Sequence, residues 1–485
     1  MSNKRGLFPI LLRLLLSAAA IAALPGCSLL GGDGASKVAG SEAASAKPQV
    51  VRYDGEPSKE LPFVYTGRRE LALTFNGLAD DKTLRALLDE LDKYGIKATF
   101  FVPGMRAAEE PDLVKEIVSR GHEIENNTLS RLDMTKLNYE QIYNEIHLDN
   151  EIIERETGVR PSYVRTKSGD YNDDVRLVAA QEGMKAVVRS SFFLHNWNGQ
   201  SEREKLLYIR KHTTRGGILT VDTEELDDVA SVIPLFAEAA KEVGYRFVLL
   251  DELVRHGSER KPLEQIEGYD AIRMNADYGN AKYDLIYNKP NAGKKIALTF
   301  DDWGTDYTIT KILDILDKYR VKATFFLRAN GVEANPNLAR AILDDGDEVA
   351  NHTYSHPVVT TLSPERLQED ILRAYRVITE AIQERPTMLF RPPTGKIDET
   401  TAKVIAAMGY DKIAQYDVDS SDYLRDHTAK QITDDVLSQA HDGSIVLMHM
   451  LDDTHTEEAL PAVIEGLERK GYKLVTVTEL IGEKN

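Results

Sequence analysis

The second half of the chain places Asp301-Asp302, His352 and His356, Arg391, the acidic cluster Asp417, Asp419 and Asp422, and His449 within 150 residues of one another. Two histidines with one carboxylate form a common donor set for a divalent ion and leave open positions for water. A second carboxylate beside such an ion can take the proton of an attacking water. A histidine across the site can protonate a leaving group. The only cysteine is Cys27, so zinc sites built from four cysteines, or from two cysteines and two histidines, are excluded. Any metal must be held by His, Asp or Glu. Taken singly, each residue has a structural reading: Asp301-Asp302 as a charge pair at a helix N-terminus, the histidines as surface or core groups, Arg391 as a salt-bridge partner. Their joint placement at the ends of apolar runs favours a site.

Those runs are the elements that must position the site. Ile296–Phe300, Ala323–Leu327, Glu348–Asn351, Met388–Phe390, Lys412–Gln415 and Ser444–Leu447 read as short buried strands. Between them Ile309, Ile312, Leu313 and Leu316 make one helical stripe, and Leu367, Ile371, Tyr375, Ile378 and Ile382 another. Ser363-Pro364 is an N-cap followed by proline at the first helical position. The helix Glu399–Met408, the helix Lys430–Gln439 and the helix His455–Lys470 follow, with Leu474–Val477 as the last strand. Strands alternating with helices at this spacing predict an α/β fold with a parallel sheet, whose sites lie at the carboxyl ends of the strands.

The unit is written twice. Leu71-Ala72-Leu73-Thr74-Phe75 recurs as Ile296-Ala297-Leu298-Thr299-Phe300, and Lys97-Ala98-Thr99-Phe100-Phe101 as Lys322-Ala323-Thr324-Phe325-Phe326, both 225 residues on. A period this long is a domain duplication, since solenoid repeats run to about 20–50 residues. The first copy keeps the framework and loses the reactive residues. Asn76 and Gly77 stand for Asp301 and Asp302, Asn127 and Arg131 for His352 and His356, and Asp222 for His449. Arg165 and Gly169 survive around a third motif that has lost its prolines. The expected organisation is 1–27 as a signal with a terminal cysteine, 28–66 as a flexible tether, 67–258 as a degenerate first domain, 259–291 as a structured connector with a few strand-like pieces and 292–485 as the catalytic domain. Trp197 and His195 fall near the lost fourth motif, as a sugar-stacking pair or as packing.

Composition narrows the context. With 60 Lys and Arg against 78 Asp and Glu, the net charge of −18 argues against a nucleic-acid partner. Lys4 and Arg5, an apolar stretch and Leu24-Pro25-Gly26-Cys27 make an export signal. The apolar run after Arg13 is about ten residues, short of the ~20 that cross a bilayer. The position of Cys27 resembles the lipobox of bacterial lipoproteins, which implies a lipidated Cys27, membrane anchoring and a place outside the cytoplasmic membrane.

Thr299-Phe300-Asp301-Asp302, His352-Thr353-Tyr354-Ser355-His356, Arg391-Pro392-Pro393-Thr394-Gly395, Asp419-Ser420-Ser421-Asp422-Tyr423 and Leu447-Met448-His449 resemble the five motifs of the polysaccharide deacetylases, the NodB-homology carbohydrate esterases. The resemblance implies two tandem distorted (β/α)7 barrels, the first degenerate. It implies that Asp301 is the general base and that Asp302, His352 and His356 bind one divalent ion, Zn2+ first, with Co2+, Mn2+ or Ni2+ as alternatives. Arg391 would orient Asp301. His449 would be the general acid, tuned by Asp419 first and Asp422 second, and the backbone near Thr394 would help hold the oxyanion. The implied substrate is an acetylated glycan that loses an N-acetyl group, or an O-acetyl group in the xylan-type esterases; the non-enzyme alternative is a glycan-binding lipoprotein. Tyr416 and Tyr423 stand where the family favours tryptophan.

Overall fold

A computed structural model describes residues 50–190, 192–193, 197–226 and 228–483. Cys27, the signal, the tether up to residue 49 and His195 lie outside the described residues. The duplication read in sequence is a duplication of sheets. The first repeat contributes β1 (Lys59–Leu61), β2 (Glu70–Asn76), β3 (Thr99–Val102), β4 (Glu123–Asn126), β5 (Tyr163–Val164), β6 (Ala186–Val188), β7 (Phe192–Phe193), β8 (Ile218–Asp222) and β9 (Arg246–Phe247). The second contributes β10 (Asp284–Ile286), β11 (Lys295–Asp302), β12 (Thr324–Leu327), β13 (Glu348–Asn351), β14 (Lys412–Ala414), β15 (Val418–Asp419), β16 (Ile445–His449) and β17 (Lys473–Val475).

The first sheet runs β1-β6-β5-β4-β3-β2-β8-β7, with β9 on the start of β2. In the second, β13-β12-β11-β16-β15 carries β17 on β11 in the same way. The pair β10-β14 continues that sheet through Phe390, which bridges in parallel to Asn351 and to Ile413. The two orders therefore match position for position, and each repeat is the curled parallel sheet of a distorted (β/α)7 barrel.

The central strands explain the arrangement. All seven residues of β2 and seven of the eight in β11 are buried, as expected of a strand covered by helices on one side and barrel core on the other. The threonine inside each central strand returns its hydroxyl to a neighbouring carbonyl, Thr74 to Leu219 at 2.7 Å and Thr299 to Val446 at 2.6 Å, so burial leaves no orphaned donor. The helix Pro364–Ile382 forms as its sequence predicts: the Ser363 side chain accepts from the Arg366 N–H, Pro364 opens the first turn, and Leu367, Ile371, Tyr375, Ile378 and Ile382 are all buried.

Two expected boundaries move. β1 lies inside the segment read as tether, and beyond it Val64 and Thr66 are buried. β10 is one of the strand-like pieces expected in the connector, but it pairs with β14 and so belongs to the second sheet. The two strands are themselves 225 residues apart and occupy the same edge of their sheets, so each repeat starts earlier than its apolar pattern does. Three-residue edge strands such as Lys-Glu-Leu are held by backbone pairing and carry no periodicity to read. Two smaller differences follow the same logic. Met388–Phe390 contributes only the Phe390 bridges, and Val477 opens a short helix, Val477–Ile481, after β17 ends at Val475.

Candidate metal centre and active site

The strand ends of the second repeat converge on one cavity of about 330 Å³. β11 delivers Asp301 and Asp302, both buried. After β13 the chain turns sharply. The Thr353 N–H bonds the Asn351 side chain at 2.8 Å, the His356 N–H bonds the Thr353 hydroxyl at 3.1 Å, and both Thr353 and His356 adopt positive φ. That turn brings His352 and His356 to a ring-centroid separation of 5.1 Å without a helix. One donor atom each from Asp302, His352 and His356 lies within 4.8 Å of the others. The His352 Nδ1 bonds the Arg391 carbonyl at 2.8 Å, which leaves Nε2 as its ligating atom. Burial lowers the His352 pKa despite the nearby Asp301 and Asp302 charges, and so favours the neutral ring a metal requires. Two imidazoles and a carboxylate at this spacing fit a divalent ion.

Asp301 faces the same cavity from beside the cluster. Its Oδ1 accepts from Arg391 Nη1 at 2.8 Å and its Oδ2 lies 3.8 Å from His352 Nε2. Arg391 is fully buried. Its remaining donors go to the Thr299 hydroxyl at 2.7 Å and to the Ala414 and Gln415 carbonyls at 3.1 and 3.0 Å, and its guanidinium stacks 4.0 Å from the Phe326 ring. A planar fork satisfied at this many points fixes the carboxylate it holds.

His449 reaches the cavity from the neighbouring strand β16, in register with Asp301. Its Nδ1 bonds Asp422 Oδ1 at 2.7 Å, and its backbone N–H bonds Asp422 Oδ2 at 2.7 Å. Asp422 is fully buried and takes a further bond from the Thr456 hydroxyl at 2.6 Å. Burial by itself would lower the His449 pKa. The hydrogen bond and charge of Asp422, with smaller contributions from Asp301 and Asp302, outweigh it and push the ring up to about 9. The sequence-based order of the two acids is therefore reversed. Asp419 sits on β15 opposite Leu447, two residues short of His449, and its carboxylate accepts from the Ser421 N–H at 2.8 Å. The Ser420–Asp422 turn carries the later acid beneath the histidine. Tyr416 and Tyr423 line the cavity mouth, Tyr423 edge-on to His449 at 5.3 Å. Thr394, also on the wall, adopts φ +61. Thr456 was not anticipated from the sequence, and nothing in its local pattern marks it. Thr299 could have been found, because the first repeat keeps the same pair: Arg165 Nη1 bonds the Thr74 hydroxyl at 2.7 Å.

The matching place in the first repeat is filled by protein. Arg131, at the His356 position, pairs with Asp222 at 2.7 Å and Glu224 at 2.6 Å. Asn127, at the His352 position, donates to the Arg165 carbonyl at 2.8 Å, as His352 bonds that of Arg391. Asn76 accepts from Arg165 at 3.3 Å. Trp197 is a buried member of the first core, so the packing alternative describes it.

Comparison with known proteins agrees with this geometry. The polysaccharide deacetylase family model matches residues 64–187 and 288–413, one stretch in each repeat and together more than half of the chain. A peptidoglycan-N-acetylglucosamine deacetylase of Bacillus cereus is 36% identical over 205 residues, which cover 41% of this chain and 94% of that protein. Peptidoglycan-N-acetylglucosamine deacetylase PgdA of Listeria monocytogenes is 36% identical over 196 residues, covering 40% of this chain and 41% of its own. Peptidoglycan-N-acetylmuramic acid deacetylase PdaC of Bacillus subtilis is 38% identical over 187 residues, 39% of this chain and 38% of its own. The chain thus spans about two fifths of the length of the Listeria and B. subtilis relatives. With both sheets matched by the family model and the metal-binding cluster assembled in the second, the chain belongs to the polysaccharide deacetylase family.

Proposed function

We propose that the second repeat is a metal-dependent deacetylase that removes N-acetyl groups from amino sugars of an envelope polysaccharide, peptidoglycan or a chitin-like glycan. The observation that carries this reading is the pair of groups beside the Asp302–His352–His356 cluster: buried Asp301 held by Arg391, and half-buried His449 held by Asp422. A divalent ion bound at the cluster, Zn2+ in our reading, supplies Lewis acidity toward the acetyl carbonyl and toward water.

The chain's own residues do the rest. Asp301, oriented by Arg391, takes the proton of the attacking water. His449 is held as imidazolium by Asp422 and gives its proton to the amide nitrogen as the C–N bond breaks, so that acetate and a free amine leave. Backbone N–H groups of the loop around Thr394 help hold the oxyanion. Tyr416 and Tyr423 border the sugar site. The first repeat, with Arg131 and its two carboxylates where the metal cluster would be, is non-catalytic. The leader ending at Cys27 places the enzyme on the outer side of the cytoplasmic membrane as a lipoprotein.

The names of the relatives favour N-acetyl over O-acetyl substrates. Acetate release from chitooligosaccharide and peptidoglycan, set against acetylated xylan and with Zn2+ added or chelated, tests the reading. Release from xylan alone would replace amide hydrolysis with ester hydrolysis at the same residues.

A further inference from the structure

β11 ends on Asp301 and Asp302, and the loop leaving it enters the helix Asp306–Tyr319 within a few residues. Asp302 bends it at φ +77, a left-handed conformation that is costly for a residue with a side chain, whereas the first repeat puts Gly77 there at φ +80 without that cost. Strain of this kind persists only where the surroundings over-determine the backbone. The next residues are accordingly pinned. Gly304 lies so close to the Met450 carbonyl that a Cβ would sit 2.1 Å from its oxygen. The Thr305 N–H and hydroxyl both bond Asp452 Oδ1, at 3.1 and 2.8 Å.

Asp306, next in line, is held from the other repeat. It is buried, and its carboxylate takes Arg215 Nη1 at 2.5 Å, the Arg215 backbone N–H at 3.1 Å and the Tyr245 hydroxyl, all from the first repeat. Thr310 and Asn335 add bonds at 2.9 and 3.2 Å from the second. Arg215 is buried in turn. It also bonds Thr310 at 3.0 Å, and its carbonyl accepts from Asn337 at 2.7 Å. Asp81, the first-repeat counterpart of Asp306, is an exposed residue paired with Arg85 at 2.9 Å. The buried cluster is therefore not a property of the repeat fold. It is built between the repeats, in one direction only, against the loop that carries the metal ligand.

We propose that Arg215 of the first repeat is a positioning residue for the metal centre of the second: by fixing Asp306 it holds the Asp302 loop in its ligating conformation. This rests on the reading of Asp302 as a metal ligand. It gives the non-catalytic repeat a task at the catalytic site that needs no substrate contact.

The test uses the full-length protein with Zn2+ alone as probe, titrated against a chromophoric chelator, together with amide hydrogen exchange of the metal-free protein. Arg215→Met should weaken Zn2+ binding about tenfold or more, the scale of lost outer-shell support, and should speed exchange at Thr305 and Asp306. Arg215→Lys should recover part of both. Tyr245→Phe removes one bond to Asp306 without stranding a charge and should give a smaller loss of the same sign, so it decides the matter if Arg215→Met does not fold. Tyr65→Phe is the control, because it removes a different bond between the repeats, Tyr65 to the Ala381 carbonyl at 2.7 Å. It should leave Zn2+ affinity unchanged even if the melting temperature falls. Wild-type affinity in folded Arg215→Met and Tyr245→Phe, or an equal loss in Tyr65→Phe, would overturn the proposal. Failure of the wild-type protein to bind Zn2+ at all would instead remove the metal-site reading beneath it, and the exchange data would still report whether Arg215 fixes the loop.

Discussion

Asp301 and His449 are register partners on adjacent parallel strands, β11 and β16. Strand pairing alone thus sets a carboxylate and an imidazole side by side at the carboxyl end of the sheet. The first repeat keeps the same register with Asn76 opposite Asp222. The register that sets these two positions side by side is common to both repeats, and the residue types at them differ.

The metal centre predicts a stoichiometry. Purified protein should carry one equivalent of divalent metal by elemental analysis. His352→Ala and His356→Ala should each abolish it, since removing either leaves two donors where three converge. Two equivalents in the wild type, or full retention in both variants, would refute the assignment.

Asp301→Asn should leave the metal bound, because Asp301 lies outside the three-residue cluster. Acetate release should fall by roughly 10²–10⁴-fold, the usual worth of a positioned proton acceptor. Single-turnover assays on a chitooligosaccharide measure this directly. Near-normal turnover would rule Asp301 out as the base.

The His449–Asp422 pair predicts a pH dependence. His449 is held up to about 9, so its protonated form, and with it the acid role, is present below that pH and lost above it. The raised pKa also stabilises the fold below about 6.5, the unfolded value, and that contribution disappears as pH rises through about 9. In Asp422→Asn the ring should titrate well below 9 and the basic limb of kcat should move to lower pH by the same amount. NMR titration of His449 in metal-free protein, set beside the pH–rate profile, checks both. An unmoved basic limb would show that another group governs it.

The first repeat should resist single reversions. Asn76→Asp alone should bind no additional metal and add no activity, because Arg131 with Asp222 and Glu224 still fills the place of the cluster. The measurement is again metal per chain, and a gain of even half an equivalent would contradict the reading.

Much of this protein was legible in one dimension. The 225-residue offset between Leu71–Phe75 and Ile296–Phe300 revealed the duplication, and apolar runs ending in Asp, His or Arg located the site, because a buried parallel strand must be apolar and its exit is where polar groups emerge. The edge strand Lys59–Leu61 escaped notice, and Asp284–Ile286, a strand-like piece of the expected connector, could not be assigned to the second sheet, since backbone pairing holds both and leaves no side-chain period to detect. Which acid serves His449 was also out of reach. Asp419 and Asp422 are three residues apart, and only the Ser420–Asp422 turn decides that the second one lies under the ring. The bond between Arg215 and Asp306 joins residues 91 positions apart in different repeats. No local pattern could announce it, because both charges become buried partners only once the two repeats are packed together.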